Sequence, residues 1–195
     1  MNGIINVYKE RGFTSHDVVA KLRGILHMKK IGHTGTLDPD ATGVLPVCLG
    51  KATKVCGLLT DKDKTYRAVV KLGVMTNTED MTGEILAKHP VLVTKEQIER
   101  AVSKFVGEIE QVPPMYSAIK INGKKLYELA RQGKEVERKA RKVTIYGIKV
   151  LSIDFSENEF TMEVSCSKGT YIRTLCQDIG EKLGCGGCME SLLRT

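Results

Sequence analysis

The sequence has no tryptophan, and its aromatic residues are limited to four phenylalanines and six tyrosines. It also lacks any apolar run near the roughly 18 residues that a membrane-spanning helix requires. The first residues show no charged segment, continuous apolar stretch or small-residue cleavage site, so we expect no signal peptide. These absences predict a cytosolic protein that does not associate with membranes.

Common cofactor motifs are also missing. There is no Walker loop, dinucleotide-binding fingerprint or HExxH metal motif, which favours a reaction without cofactor or metal. The sequence has six cysteines, and Cys185 and Cys188 have the spacing of half a zinc site or of a redox pair. No second pair supplies the remaining ligands of a structural zinc site. We therefore expect reduced thiols, with a thiol or zinc module as an alternative that metal analysis would settle.

Length and composition predict one globular domain over residues 1–195, because 42% of the residues are hydrophobic and can form a core. The formal charge of +7 arises from 30 basic and 23 acidic residues. The basic residues cluster in two stretches, residues 51–67 and residues 120–142. These clusters favour a polyanionic partner such as nucleic acid, although a solvated surface would explain each of them equally well.

Periodicity and capping signals predict an alternation of helices and hairpins. The predicted strands cover residues 3–8, 64–75, 143–153 and 159–166, with a bulge near Gly147. The predicted helices cover residues 15–28 and 125–132, a segment that begins at Thr94, and residues 170–183. A short helix is also expected over residues 52–59. This order favours an α+β fold with a mixed, antiparallel-rich sheet flanked by helices over a doubly wound fold.

The most unusual segment is residues 32–46, GHTGTLDPDATGVLP, with three glycines and two prolines. This composition predicts an irregular loop and not a strand or helix, because glycine and proline disrupt both. The loop offers Asp38 as a nucleophile and His33 as a proton shuttle or a satisfied histidine. Taken singly, Asp38 before Pro39 is typical of a simple turn.

Two other side chains are candidates for a site. Tyr66 lies on the apolar face of the predicted strand 64–75, where it is either a core residue or a platform on which a nucleic-acid base stacks. Arg173 follows a glycine turn and is either a surface or phosphate-binding arginine or a partner that keeps a carboxylate ionised. Spacing alone does not bring Arg173 to Asp38.

Taken together, the segments resemble the TruB family of tRNA pseudouridine synthases. The matching motifs, in the order of the family, are GHTGTLDPDATGVLP (32–46), LGKATK (49–54), KTYR (64–67), QVPPMYSAIK (111–120), CSKGTYIRT (166–174) and GEKLGCG (180–186). The resemblance implies the pseudouridine synthase fold and the isomerisation of a uridine in the TΨC arm of tRNA, at position 55. The reaction needs no cofactor. No partner-docking segment is identified, so no protein partner is expected, and a monomer is the default.

The same resemblance assigns roles to individual residues. Asp38 is expected to be the nucleophile, Tyr66 to stack on the target base, and Arg173 to pair with Asp38. Three further residues are expected to bind the substrate, namely His33, Tyr171 and Leu192.

Departures from the family concern both ends of the chain. Lys9 is followed by Glu10 where the family tends to have proline, and the expected alanine–histidine pair is replaced by Gly187 and Cys188. Family members usually continue into a C-terminal PUA domain, which we expect to be absent from this chain.

Two alternative functions remain open: a non-catalytic tRNA-binding or tRNA-folding protein, and a guide-RNA-dependent relative that acts on ribosomal RNA.

Overall fold

The structure is a computed structural model that describes residues 1–195. Its strands are β1 (Gly3–Lys9), β2 (Ile31–His33), β3 (Thr42–Leu49), β4 (Lys64–Leu72), β5 (Val74–Thr76), β6 (Ile85–Lys88), β7 (Gly107–Gln111), β8 (Lys120–Ile121), β9 (Lys124–Lys125), β10 (Arg141–Asp154), β11 (Glu159–Cys166) and β12 (Gly187–Arg194). Its α-helices are α1 (Ser15–Leu26), α2 (Cys56–Thr60), α3 (Lys95–Ser103), α4 (Leu126–Ala130) and α5 (Ile172–Lys182).

The chain forms two compact units. The first unit comprises Met1–Arg67 and Ser191–Thr195, and the second comprises Ala68–Glu190. Both contain helices and β-strands, so the predicted α+β class with a mixed sheet is confirmed. The assignment of residues 1–195 to one domain stays a prediction. No helix has both the length and the apolar character needed to cross a lipid bilayer.

In the first unit, β3 is the central strand. It pairs antiparallel with β1 and with β2, and parallel with the end of β12 through Leu193 opposite Thr42. Helix α1 covers this sheet and buries Val18 and Val19 in a core with the side chains of β2 and β3. Each such side chain contributes about 1.5–3 kcal/mol when fully buried.

Helix α1 begins where the sequence predicts. The Thr14 side chain accepts a hydrogen bond from the Asp17 amide, and the Asp17 carboxylate accepts one from the Thr14 amide. This capping box satisfies two amides that the helix itself leaves unpaired. The helix ends slightly before the predicted residue 28, because His27 adopts a left-handed conformation that closes it.

In the second unit, neighbouring strands follow the order β4–β11–β10–β7. The hairpin of β10 and β11 is confirmed, as is the register shift at Gly147, and a second shift follows at Val150–Ser152. Helix α3 begins at the predicted Thr94 capping box and packs on β10 and α5. Helix α4 is shorter than the predicted residues 125–132, because Lys125 belongs to the small β8–β9 hairpin and residues 131–132 form a turn.

The continuous strand predicted over residues 64–75 is wrong in one respect. Ala68, Val70 and Leu72 are buried as predicted, but β4 ends at Leu72 and β5 starts at Val74. Gly73 separates them with a φ of +80°, a conformation that interrupts an extended strand. The alternation of apolar and polar residues predicts the buried face of β4 correctly, but it does not predict the interruption at Gly73.

The expectation that the whole of residues 32–46 is irregular is also wrong. Residues 31–33 and 42–49 are strands, and only residues 34–41 form the loop. Pro46 lies within β3, where its carbonyl accepts a hydrogen bond from the Thr34 amide at 3.0 Å. Gly43 has a φ of +112° and lies against the Arg194 backbone, so this glycine permits a strand contact that a side chain would block.

Candidate active site

Asp38 lies in the loop of residues 34–41, which joins β2 to β3. The Ala41 amide donates to the Asp38 carbonyl at 3.1 Å, so residues 38–41 form a β-turn with Pro39 at its second position. The Asp38 residue is half-buried. The turn interpretation of the Asp–Pro pair is therefore correct, and the turn also fixes the backbone that carries this carboxylate.

Lys9 is a buried anchor of the loop of residues 34–41, because it donates a hydrogen bond to the Pro39 carbonyl. This lysine is fully buried, and its ammonium donates to three carbonyls, those of Glu10 at 3.0 Å, Phe13 at 2.6 Å and Pro39 at 3.0 Å. Three acceptors match the three N–H groups of an ammonium. Burial lowers the pKa of Lys9, while the charges of the nearby aspartates, including Asp38, oppose that shift.

Further contacts attach the loop to the segment between β1 and α1. The Leu37 amide donates to the Ser15 hydroxyl at 2.9 Å in a buried position. Arg11 forms an exposed ion pair with Asp40, with 3.0 Å between Nε and Oδ1. The loop is thus fixed on both sides of Asp38.

His33 ends β2 immediately before the loop and is half-buried. Its Nδ1 lies 3.3 Å from the carbonyl oxygen of Gly35. Burial lowers the pKa of the imidazole, with smaller contributions in the same direction from His16 and Arg194 and an opposing one from the Gly35 carbonyl. The neutral imidazole is therefore favoured, and it can stack or exchange hydrogen bonds with a substrate.

Tyr66 and Leu192 also belong to the first unit. Tyr66 lies on β4 and is half-buried, and Leu192 lies on β12 and is 9% exposed. The Leu192 carbonyl is 3.5 Å from the Thr42 hydroxyl, and the Thr195 amide donates to the Thr65 carbonyl at 3.1 Å. The end of β12 is therefore attached to both strands that flank it.

Tyr171 stands in the second unit at the start of α5. Its backbone is held by the Gln111 side chain, whose oxygen accepts from the Tyr171 amide at 3.0 Å and whose nitrogen donates to the Tyr171 carbonyl at 3.1 Å. Gln111 is 2% exposed, so this pair of hydrogen bonds is protected from water. These two hydrogen bonds fix the backbone of Tyr171 at the start of α5.

Arg173, in the first turn of α5, is 5% exposed. Its terminal nitrogens donate to the carbonyls of Thr78 at 3.0 Å and Tyr116 at 2.9 Å. Its Nε lies 3.7 Å from Asp80 Oδ2. The other oxygen of Asp80 accepts from the Thr82 amide at 3.0 Å, so a fixed carboxylate faces the guanidinium. The predicted pairing of Arg173 with Asp38 stays a prediction.

A second acidic residue lies next to this arginine. Glu79 accepts a hydrogen bond from the Thr174 hydroxyl at 2.6 Å. Burial raises the pKa of Glu79, and the Thr174 hydrogen bond and the Arg173 charge oppose that shift. Two acidic residues of the turn at residues 76–84, Glu79 and Asp80, therefore contact the first turn of α5.

Sequence analysis did not identify three residues that contact the Asp38 loop, Arg173 or Tyr171: Lys9, Asp80 and Gln111. Lys9 directly follows the predicted strand over residues 3–8, and Gln111 opens a matched motif, but neither residue type indicates burial. Asp80 lies between the predicted strand over residues 64–75 and the predicted helix that begins at Thr94, outside every predicted element. Its signal is the Thr-x-Asp-x-Thr spacing of residues 78–82, because hydroxyls on both sides commonly donate to such an aspartate.

Cys185 and Cys188 are both buried free thiols. The Cys185 sulfur lies 3.4 Å from the carbonyl oxygen of Gly186, and the Cys188 sulfur lies 3.4 Å from the Met81 sulfur. No group of three or more histidine, cysteine or acidic residues is arranged to hold a metal ion. The surroundings of this pair are those of packed thiols.

Comparison with known proteins adds the family. The family model described as TruB family pseudouridylate synthase (N terminal domain) matches residues 23–172. The model of the tRNA pseudouridylate synthase B C-terminal domain matches residues 173–195. Together the two matches extend continuously from α1 to the last residue.

Curated relatives and solved structures agree with these matches. The chain is 61% identical to tRNA pseudouridine synthase B of Alkaliphilus oremlandii and 65% identical to that of Lachnoclostridium phytofermentans. All of the chain is aligned, and it spans 64% and 66% of the length of these two proteins.

Among solved structures, 99% of the chain superposes on 48% of a chain in the crystal structure of a Cbf5–Nop10–Gar1 complex, with a TM-score of 0.78 and 37% identity. The chain belongs to the TruB family of pseudouridylate synthases.

Proposed function

We propose that this chain is the catalytic part of a tRNA pseudouridine synthase that isomerises the uridine at position 55, in the TΨC arm. The observation that carries the proposal is the anchored Asp38 turn, because a half-buried aspartate whose backbone is held on both sides suits a nucleophile. The names of the relatives, which are 61% and 65% identical over the whole chain, support tRNA as the substrate.

The reaction exchanges one glycosidic bond for another. The N1–C1′ bond breaks, the detached uracil turns, and a C5–C1′ bond forms. N1 gains a proton and C5 loses one, so no oxidant, reductant or external donor is needed. Asp38 in its ionised form attacks the base or the sugar and is released when the new bond has formed.

The other residues assist this step in the proposal. Arg173 pairs with Asp38 and keeps it ionised, since a neighbouring cation favours the charged form of a carboxylate. Tyr66 stacks on the uracil and assists proton transfer, and Tyr171, Leu192 and His33 contact the flipped nucleotide. A base stacked inside the T-loop is inaccessible, so the enzyme must rotate it outward.

RNA binding in this proposal relies on shape and phosphates. The basic clusters of residues 51–67 and 120–142 contact the backbone of the folded T arm. The chain acts as a monomer in the cytosol without cofactor or protein partner. The two alternatives fit less well. A pure binding protein has no need of an aspartate on a loop anchored on both sides. Identity to the tRNA enzymes, 61% and 65%, exceeds the 37% found with the Cbf5 complex.

The test is tritium release from tRNA that carries 5-tritiated uridine, because C5 loses its hydrogen only on isomerisation. We expect release by the parent chain and none by Asp38→Asn, while Asp154→Asn, at the exposed end of β10, releases tritium at the parental rate. Filter binding of tRNA is measured on the same samples. Binding without release by the parent chain would replace the proposal with the non-catalytic alternative.

A further inference from the structure

Cys48 and Cys56 lie next to each other on one face of the first unit's sheet. Cys48 belongs to β3 and is fully buried, whereas Cys56 begins α2 and is half-exposed. A 3₁₀-helix over Gly50–Val55 joins the two cysteines and packs against β1, β2 and β3. This short helix folds the chain back over the sheet, and the fold-back brings Cys56 to Cys48.

Gly32 leaves room for the Cys56 thiol beside Cys48. In the β2–β3 ladder Gly32 stands directly opposite Cys48. Side chains at two such positions share a face of the sheet, with Cβ atoms about 5 Å apart. A Cβ at Gly32 would lie 3.2 Å from the Cys56 sulfur. The sulfur therefore occupies the place that a side chain at position 32 would take, next to the thiol of Cys48.

The two thiols differ in acidity and in access. Burial, followed by a hydrogen bond with the Cys56 thiol, raises the pKa of Cys48 to about 11. Cys48 therefore stays a protonated thiol at neutral pH, and its side chain does not meet solvent. Cys56 is half-exposed, so an oxidant in solution reaches its sulfur first. An accessible thiol with a second thiol beside it is typical of a reversible oxidation site.

We propose that Cys56 and Cys48 form a reversible oxidation site for hydroperoxides, in which Cys56 reacts first and Cys48 closes a disulfide. The Cys56 thiolate attacks the terminal oxygen of the hydroperoxide. The O–O bond breaks, and Cys56 becomes a sulfenic acid. The other oxygen takes up the proton that Cys56 released and leaves as an alcohol, or as water from hydrogen peroxide.

The second step consumes the sulfenic acid. The Cys48 sulfur attacks the Cys56 sulfur, so that an S–S bond forms and the S–O bond breaks. The sulfenic oxygen leaves as water with the proton of Cys48. In total the two thiols lose two electrons, which the hydroperoxide accepts. The disulfide protects Cys56 from irreversible oxidation to a sulfinic acid, and a thiol reductant restores both cysteines.

This site is separate from the chemistry proposed for Asp38. Neither cysteine belongs to the residues proposed to hold or convert the uridine, so the inference stands whether or not the chain isomerises RNA. The four remaining cysteines all lie in the second unit and are buried. They serve as an internal control, because buried thiols are protected from an oxidant while the protein is folded.

Peptide mass spectrometry of the unaltered protein tests the proposal. The folded protein is treated with hydrogen peroxide, its remaining thiols are blocked with N-ethylmaleimide, and it is digested without reductant. Trypsin cleaves after Lys51 and Lys54, so the two cysteines fall on separate peptides, residues 31–51 and 55–62. We expect these peptides to be joined, at least about tenfold more abundantly than any other pair of cysteine peptides. Dithiothreitol should separate them.

Two variants assign the order of the steps. In Cys48→Ser the sulfenic acid of Cys56 has no thiol to resolve it, so labelling of Cys56 by dimedone should rise at least about tenfold. In Cys56→Ser, Cys48 should remain a free thiol. Cys166→Ser, at a buried position of β11, is the control and should leave the linkage at the parental level. Circular dichroism checks that each variant is folded, and the linkage in the unaltered protein needs no variant.

Three results would overturn the proposal. The first is oxidation of Cys56 in the unaltered protein without linkage to Cys48. The second is an equal amount of linkage among the four buried cysteines of the second unit. The third is unchanged Cys48 and Cys56 at a peroxide concentration that converts free glutathione to its disulfide.

Discussion

Asp80 faces Arg173 with its Oδ2 3.7 Å from the arginine Nε, and the side chains of Arg173 and Asp80 are 6% and 15% exposed. The opposite oxygen of Asp80 is fixed by Thr78 and Thr82. Arg173 is thus oriented by a carboxylate from a turn about 90 residues earlier in the chain. Orientation of this kind matters, because displacements near 1 Å in a site can cost about 100-fold in rate.

Asp80→Asn tests this positioning role. The amide keeps the shape of the side chain but removes its charge, so we expect kcat to fall by about 10- to 100-fold while KM for tRNA changes less than about threefold. Steady-state tritium release measures both constants. Thr82→Val is the control for a loosened turn, and an equal fall in kcat for that variant would assign the effect to the turn instead.

Lys9→Met tests the buried ammonium beneath the Asp38 loop. The variant leaves the Glu10, Phe13 and Pro39 carbonyls without their donor, and we expect the free energy of unfolding to fall by about 3 kcal/mol. Urea denaturation followed by circular dichroism measures this change. Lys51→Met, at an exposed position, should leave stability within about 0.5 kcal/mol of the parent. Equal stabilities for the two variants would contradict the structural role of Lys9.

Gly43→Ala tests the close approach of β3 to β12. A Cβ at Gly43 would lie 2.1 Å from the Arg194 carbonyl oxygen, and the φ of +112° is also unfavourable for alanine. We expect a loss of more than about 3 kcal/mol of stability or failure to fold. Gly24→Ala is the matched control, because nothing lies within 4 Å of its added Cβ on α1. That variant should be more stable than the parent by about 0.5–1 kcal/mol.

Asp178→Asn tests the pH dependence of stability. Burial, followed by the charges of Glu181 and Glu79, raises the pKa of Asp178 from 3.8 to about 6. The raised pKa means that the folded state disfavours the ionised form of Asp178. The free energy of unfolding therefore falls as the pH rises from 3.8 to about 6, and the whole loss is present above that pH. Allowing for partial solvent exposure, we expect the variant to gain about 1 kcal/mol at pH 8 and nothing at pH 3.5.

Urea denaturation at both values of pH measures this difference. An equal gain at pH 8 and pH 3.5 would show that the substitution acts through packing and not through the carboxylate charge.

Local signals in the sequence determined several elements correctly. The capping boxes at Thr14 and Thr94 set the starts of α1 and α3, because their partners lie only three residues away. The alternation of residues 159–166 and the bulge at Gly147 likewise follow from neighbouring residues. The Asp38 turn belongs to the same class, since Pro39 favours it regardless of the rest of the chain.

Only the tertiary structure decided the features that depend on distant partners. β3 forms despite its glycine and proline because Gly43 meets Arg194, some 150 residues later, and because β1 and β2 supply its antiparallel partners. The burial of Lys9 and the contact between Asp80 and Arg173 also depend on partners that are distant in the chain. A charged side chain is buried only where carbonyls or an opposite charge replace its water, and those groups converge only on folding.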